Sequence, residues 1–171
     1  LYCAKQKLDD TIICYADLVF DISIIKKMID FNGDIGIAVK SDWKPRYVGR
    51  TLHPISEADN VLIDESGKII EVRKNIQKPN SNIGEFLGIM RLSSKCSSLF
   101  LKRFSELKES HVGTFHGSPS LKQSIIPDMI QELIDLGTNV KPVMVSEKWV
   151  EIDTPEDLDI ARKVFANFHY M

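Results

Sequence analysis

The sequence predicts an α/β fold: a mixed, mainly parallel sheet flanked by helices, in one domain spanning residues 1–171. Three observations predict it. TIICYADLVF (11–20) is apolar on both faces, the pattern of a central strand in a covered sheet. Strand-like and helix-like runs then alternate, beginning with strand, helix and strand over 11–39, a βαβ unit. Finally, 171 residues are enough for one core, and no repeat or low-complexity tract marks a second domain.

The elements follow in order. LYCAKQKL reads as the tail of a helix, so the chain is expected to be a piece that has lost its front. After strand 11–20, DISIIKKMIDF forms a helix with Asp21 as N-cap, Ile22, Ile25, Met28 and Ile29 at helical spacing, and Asn32-Gly33 as its stop. DIGIAV (34–39) is a strand. Residues 41–59 are polar and irregular, long for a plain connector and therefore a candidate functional loop. NVLIDESGKIIEVRK (60–74) is a hairpin turning at Glu65-Ser66-Gly67. GEFLGIMRLS (84–93) is a strand whose two glycines imply close packing against its backbone.

CSSLFLKRFSEL (96–107) is an amphipathic helix, and 111–120 is a loop. The run 120–137 is helical, with Ile126, Met129, Ile130, Leu133 and Leu136 inward and Gly137 at C′; Pro127 either kinks it or marks a later start. Short strands follow at 141–146 and 148–152. Thr154-Pro155-Glu156-Asp157 opens the last helix as N-cap, N1 and acidic first turn, with Leu158, Ala161, Phe165 and Phe168 as its buried stripe.

Bulk properties narrow the function. Hydrophobic residues at 43% and charged residues at 27% are the balance of a soluble globular protein. A net charge of −2 argues against a broad nucleic-acid surface, and no apolar run is long enough to span a bilayer, so neither nucleic acid nor membrane is an expected partner. The opening LYCAKQKLDD lacks a basic start followed by an apolar core. Cys3, Cys14 and Cys96 fit neither a disulfide framework nor a zinc pattern, and Cys14 reads as a buried thiol, so a cytoplasmic location is expected.

Two aspartates carry the chemistry. Asp17, a charge inside an apolar run, and Asp153, the last residue before the final helix cap, both fall at carboxyl ends of strands, where open α/β sheets bind ligands. Two such carboxylates suit one Mg²⁺, which completes its shell with water and phosphate. Each aspartate also reads as a simple turn former or cap, and Asp157 as a capping-box acid. Asp42 and Asp59 sit in the polar loop and are expected to be solvated. The same loop groups Trp43, Arg46, Tyr47, Arg50, His53 and Glu57. Trp43 either covers a cationic amine, with Glu57 supplying charge, or packs on the sheet edge. Glu85 faces the cleft or solvent, and Lys74 either meets a phosphate or is solvated. His111 and His116 have no matching acid nearby and receive no role.

Four segments carry a resemblance. Asp9-Asp10-Thr11 running into IICYADLVFD, the loop SDWKPRYVGRTLHPISEADNV, the strand GEFLGIMRLS and the closing WVEIDTPEDLDIA resemble, in order, motifs of nucleotidyltransferases with a GT-A-like, Rossmann-like fold. The nearest group is the cytidylyltransferases that act on phosphocholine and 2-aminoethylphosphonate. The resemblance covers residues 9–165. It implies that Asp17 and Asp153 hold Mg²⁺, that Lys74 joins them as a catalytic residue approaching phosphate, and that Trp43, Glu57 and Glu85 line the acceptor site. It further implies transfer of a nucleotidyl group from a nucleoside triphosphate, CTP, to a small phosphorylated or phosphonate amine, releasing pyrophosphate. The alternatives are a sugar-1-phosphate nucleotidyltransferase of the same fold and a catalytically inactive binding or assembly remnant. The family's opening glycine-rich loop, "A-A-G-x-G-x-R", has no match in these residues. The chain is therefore expected to be the back part of such a domain, inactive alone, with an unpaired sheet edge open to self-association as a homo-oligomer.

Overall fold

A computed structural model describes residues 2–79 and 81–166. After a 3-10 turn at Tyr2–Lys7, the elements run β1 (Thr11–Cys14), β2 (Leu18–Phe20), α1 (Ile22–Asp30), β3 (Ile35–Lys40), β4 (Asp59–Ile63), β5 (Ile69–Lys74) and β6 (Asn82–Leu92). They continue with α2 (Ser94–Ser110), α3 (Ile126–Asp135), β7 (Val140–Met144), β8 (Trp149–Glu151) and α4 (Pro155–Val164). One six-stranded sheet has the order β5-β4-β6-β3-β7 with β1 also on β6, and β2 pairs with β8 in a separate ribbon.

The α/β class with a mixed sheet flanked by helices stands, but the sheet is mostly antiparallel. Among the described residues only β3 and β7 pair in parallel; β6 runs antiparallel to β1, β3 and β4, and β4–β5 is the expected hairpin. Apolarity on both faces reports that a strand is covered, not which way its neighbour runs. Strands β1 and β3 lie on opposite edges of β6, and α1 leads from β2, in the separate ribbon, to β3, so the expected βαβ unit does not pair its strands with each other.

The long strand β6 builds the framework of the site. Strand β3 follows one of its edges throughout, whereas the other edge is shared: β4 bonds to residues 82–85 and β1 to residues 89–92. The exchange happens at Gly88, where φ is +71° and the Gly88 carbonyl accepts from Tyr15 N at 2.9 Å. A Cβ there would lie 2.6 Å from the Tyr15 ring, so glycine is required twice over. At Gly84 a Cβ would meet Val39 at 2.3 Å, which bears out the close packing expected of this strand.

Several local expectations change. The run 11–20 is not one buried strand: it breaks at Asp17, which lies exposed in the turn between β1 and β2. Cys14 is exposed and only Cys96 is a buried thiol. Helix α1 is capped by Asp21, whose carboxylate accepts from Ser23 N at 2.9 Å, but it buries Ile24 and Met28 and leaves Ile22 and Ile29 exposed. Helix α3 starts at Ile126 with Pro127 in its first turn, so the proline opens the helix rather than kinking it, and Leu136 is exposed. Gly137 takes φ +85° just past its end, as expected. Helix α4 begins with the Thr154–Asp157 capping box and buries Ala161, while Leu158 is exposed and Phe168 lies outside the described residues. Among the described residues, no helix is long and apolar enough to cross a membrane.

Candidate active site

The β2–β8 ribbon brings the two aspartates together. Leu18 is paired with Glu151, and Ile152 N donates to the Asp17 carbonyl at 2.9 Å. Carboxylate oxygens of Asp17, Glu151 and Asp153 therefore fall within 4.8 Å of one another. Glu151 is the addition. It is the last residue of β8, two before Asp153, and its carboxylate joins the other two. Burial, then the negative charges of Asp153, Asp17, Asp59 and Glu85, push the Glu151 carboxyl up to about 7. This is surplus negative charge on hard oxygen donors, and it fits a divalent cation of the Mg²⁺ type.

A cleft of about 350 Å³ adjoins this cluster in the notch between β1 and β4. Glu57, Asp59, Glu85, Glu151 and Asp153 line it, together with Lys74 and His53. Lys74 Nζ donates to Glu57 at 2.7 Å, and this bond, against some desolvation, raises the lysine above its ordinary range and keeps it charged. Asp59 is not the solvated loop residue expected. It opens β4, its Oδ1 is buried without a hydrogen-bond partner, and burial above all pushes it up to about 6 although Lys74 opposes the shift. Glu85 is buried at the cleft wall. Its carboxyl is raised by burial despite the Arg46 guanidinium at 3.1 Å and the Tyr47 hydroxyl, which both donate to it.

Residues 41–58 brace the site, through two 3-10 turns at Lys44–Tyr47 and Ile55–Glu57. Besides the Arg46 and Tyr47 bonds to Glu85, Arg50 pairs with the buried Asp157, and Thr51 N and Leu52 N donate to Glu156 at 3.0 and 3.2 Å. His53 Nδ1 lies 3.0 Å from Asp153 Oδ2. Burial alone would raise Asp157, but the Thr154 hydroxyl and Arg50 hold it below the usual carboxylate range.

Of the residues expected at the site, Asp17 and Asp153 meet at the acidic cluster, and Asp153, Lys74, Glu57 and Glu85 line one cleft. Trp43 stands apart: it is 4% exposed, packs with Tyr47 and Ala58, and donates from Nε1 to the Ile83 carbonyl at 3.2 Å. Asp42 is solvent-exposed as expected, beside Lys40. His116 does find an acid, with Nε2 2.8 Å from Glu132 Oε2, away from the cleft. Sequence reasoning missed Glu151, Asp59 and the brace role of His53.

No family model matches the chain. A CTP:phosphoglutamine cytidylyltransferase of Campylobacter jejuni is 25% identical over 160 residues, which is 94% of this chain and 61% of that protein. The inositol-1-phosphate CTP transferase of T. maritima superposes with a TM-score of 0.62 at 20% identity, over 99% of this chain and 62% of that one. The CTP:phosphocholine cytidylyltransferase of Streptococcus pneumoniae superposes with a TM-score of 0.63 at 12% identity, over 96% and 61%. The chain thus spans about three fifths of the length of the proteins it matches. It carries the nucleotidyltransferase fold.

Proposed function

We propose that this chain is the acceptor-side and metal-side part of a cytidylyltransferase, which transfers a cytidylyl group from CTP to a small phosphorylated or phosphonate acceptor and releases pyrophosphate. The observation that carries the reading is the convergence of Asp17, Glu151 and Asp153 at the mouth of an acidic cleft in this fold. The similarity to a CTP:phosphoglutamine cytidylyltransferase along 94% of the chain supports the choice of nucleotide.

In the reaction an acceptor phosphate or phosphonate oxygen bonds to the α-phosphorus of CTP. The bond from that phosphorus to its bridging oxygen breaks, and pyrophosphate leaves with the electron pair. No protein nucleophile is needed. The obstacle is repulsion between two anions, so catalysis consists of positioning and charge compensation. A divalent cation such as Mg²⁺, held by Asp17, Glu151 and Asp153, supplies that compensation when bound. Lys74, kept charged by Glu57, meets an acceptor phosphate oxygen. Glu85, fixed by Arg46 and Tyr47, and Glu57 give the cleft the negative character that selects an acceptor with a cationic amine, as in phosphocholine or 2-aminoethylphosphonate. Trp43 contributes from behind, by packing against Tyr47.

The test is pyrophosphate release by the full-length gene product with each nucleoside triphosphate and a panel of phosphorylated acceptors with and without an amine. CTP and an amine-bearing acceptor should be preferred, and Asp153→Asn should lower turnover by roughly 100-fold or more. Preference for another triphosphate, or turnover indifferent to Mg²⁺ and to Asp153→Asn, would overturn the reading.

A further inference from the structure

His53 touches no other site carboxylate as closely as Asp153. Its Nδ1 is 3.0 Å from Asp153 Oδ2 and 3.9 Å from Asp157 Oδ2. Asp157 is already engaged: one oxygen pairs with Arg50, and the other accepts from Thr154 N at 3.0 Å, the Thr154 hydroxyl at 2.9 Å and Asp153 N at 3.3 Å. Among the described residues, His53 is the group that pairs with the Asp153 carboxylate, whose side chain is 40% exposed. The imidazole, by contrast, is fixed. Its residue is 9% exposed, its ring lies 6.0 Å from that of Tyr47, and the two residues immediately before it, Thr51 and Leu52, are anchored on Glu156 through their backbone N–H groups.

We propose that His53 is a positioning residue for the cation site: its Nδ1–H holds one oxygen of Asp153 so that the carboxylate is preset to bind a divalent cation. A carboxylate only accepts, so the nitrogen facing it must carry the proton. A mobile exposed carboxylate loses rotamer freedom on capturing a metal, and a buried donor that orients it beforehand removes part of that cost. Ligand atoms of His53, Asp153 and Asp157 also lie within 4.8 Å of one another. In this proposal the ring nitrogen that faces the cluster is committed to Asp153, so His53 acts through that carboxylate and not as a ligand. The inference rests on the cation site proposed above.

The test uses Mn²⁺ as a spin-active substitute for Mg²⁺, titrated into the full-length gene product and followed by electron paramagnetic resonance. The wild type should bind and Asp153→Asn should not. His53→Phe, which keeps a ring but loses the donor, should bind roughly 10- to 100-fold more weakly. His53→Asn, whose amide places an N–H near the Nδ1 position, should bind close to wild type. Equal affinity in wild type and a folded His53→Phe, with Asp153→Asn still inactive in binding, would overturn the positioning role and leave the cation site standing. Wild type that binds no Mn²⁺ would overturn both. Hyperfine coupling from an imidazole nitrogen to Mn²⁺ would also overturn it, by making His53 a ligand. Should His53→Phe fail to fold, ring ¹⁵N shifts of the unmutated protein decide the matter. Protonated Nδ1 with a resonance that moves on adding Mg²⁺, while His111 and His116 stay still, is the expected result; an unprotonated Nδ1 overturns the proposal.

Discussion

Two long loops of this chain use polar residues in opposite ways. Residues 41–58 reach far: Arg50 pairs with Asp157 107 residues away, and Arg46 and Tyr47 reach Glu85 39 and 38 residues on. Residues 111–125 close on their own neighbourhood. Asp128, at the start of α3, accepts from Gly117 N at 2.9 Å, the Ser118 hydroxyl at 2.7 Å and Ile125 N at 2.9 Å, and His116 reaches Glu132 at 2.8 Å and Asp135 at 3.9 Å, both on α3. The first loop therefore ties together the strand ends that carry the acidic cluster. The second shapes a larger, mostly apolar cavity of about 780 Å³ between α2 and α3, lined by Phe100, Phe104, Leu121 and Met129. Cavity size alone would choose the wrong one of these; the long-range charged ties point to the smaller.

The comparison breaks first at Arg50. Its side chain is 4% exposed and its partner Asp157 is fully buried. Arg50→Met leaves that carboxylate without its cation and should cost about 3–5 kcal/mol in urea unfolding. A loss under about 1 kcal/mol would mean that the first loop decorates the site rather than bracing it. Asp128→Ala tests the second loop. Three donors lose their acceptor, and about 1–3 kcal/mol of stability should go with them. Mn²⁺ affinity should stay at the wild-type value, because none of these bonds reaches the acidic cluster. A weakened cation site in a folded Asp128→Ala protein would dissolve the contrast between the loops.

Local signals in the sequence transferred well, and long-range ones did not. Thr154-Pro155-Glu156-Asp157 forms the capping box that its spacing announces, and the Glu65-Ser66-Gly67 turn closes the β4–β5 hairpin. Asp17 and Asp153 do come together, but Asp17 stands exposed in the turn that leads into β2, not at the carboxyl end of one buried strand, and needs no compensation for burial. Strand direction was illegible, because an apolar face reads the same against a parallel or an antiparallel neighbour. Glu151 did leave a signal: in E-I-D a second carboxylate stands only two residues before Asp153, where β8 ends. Asp59 and His53 left none. Each looks like an ordinary polar loop residue until the fold brings Lys74 or Asp153 against it.

The smallest expected effect sharpens the local character of the second loop. Glu132 on α3 takes both Arg103, at 2.7 Å, and His116, at 2.8 Å, and its side chain is 12% exposed. Burial alone would raise this carboxyl, but the bonds from Arg103 and His116 outweigh it and hold the group below its ordinary 4.5. A carboxyl depressed in the folded state binds its proton more readily when unfolded. The stability it contributes is thus complete above about pH 4.5 and is lost as pH falls through the folded value. Wild type and Glu132→Gln, compared by urea unfolding from pH 6 to pH 3, should differ most at pH 6 and converge in acid. A gap that stays constant across that range would show that the charge of Glu132 plays no part. The loop would then be fastened by Asp128 and its packing alone.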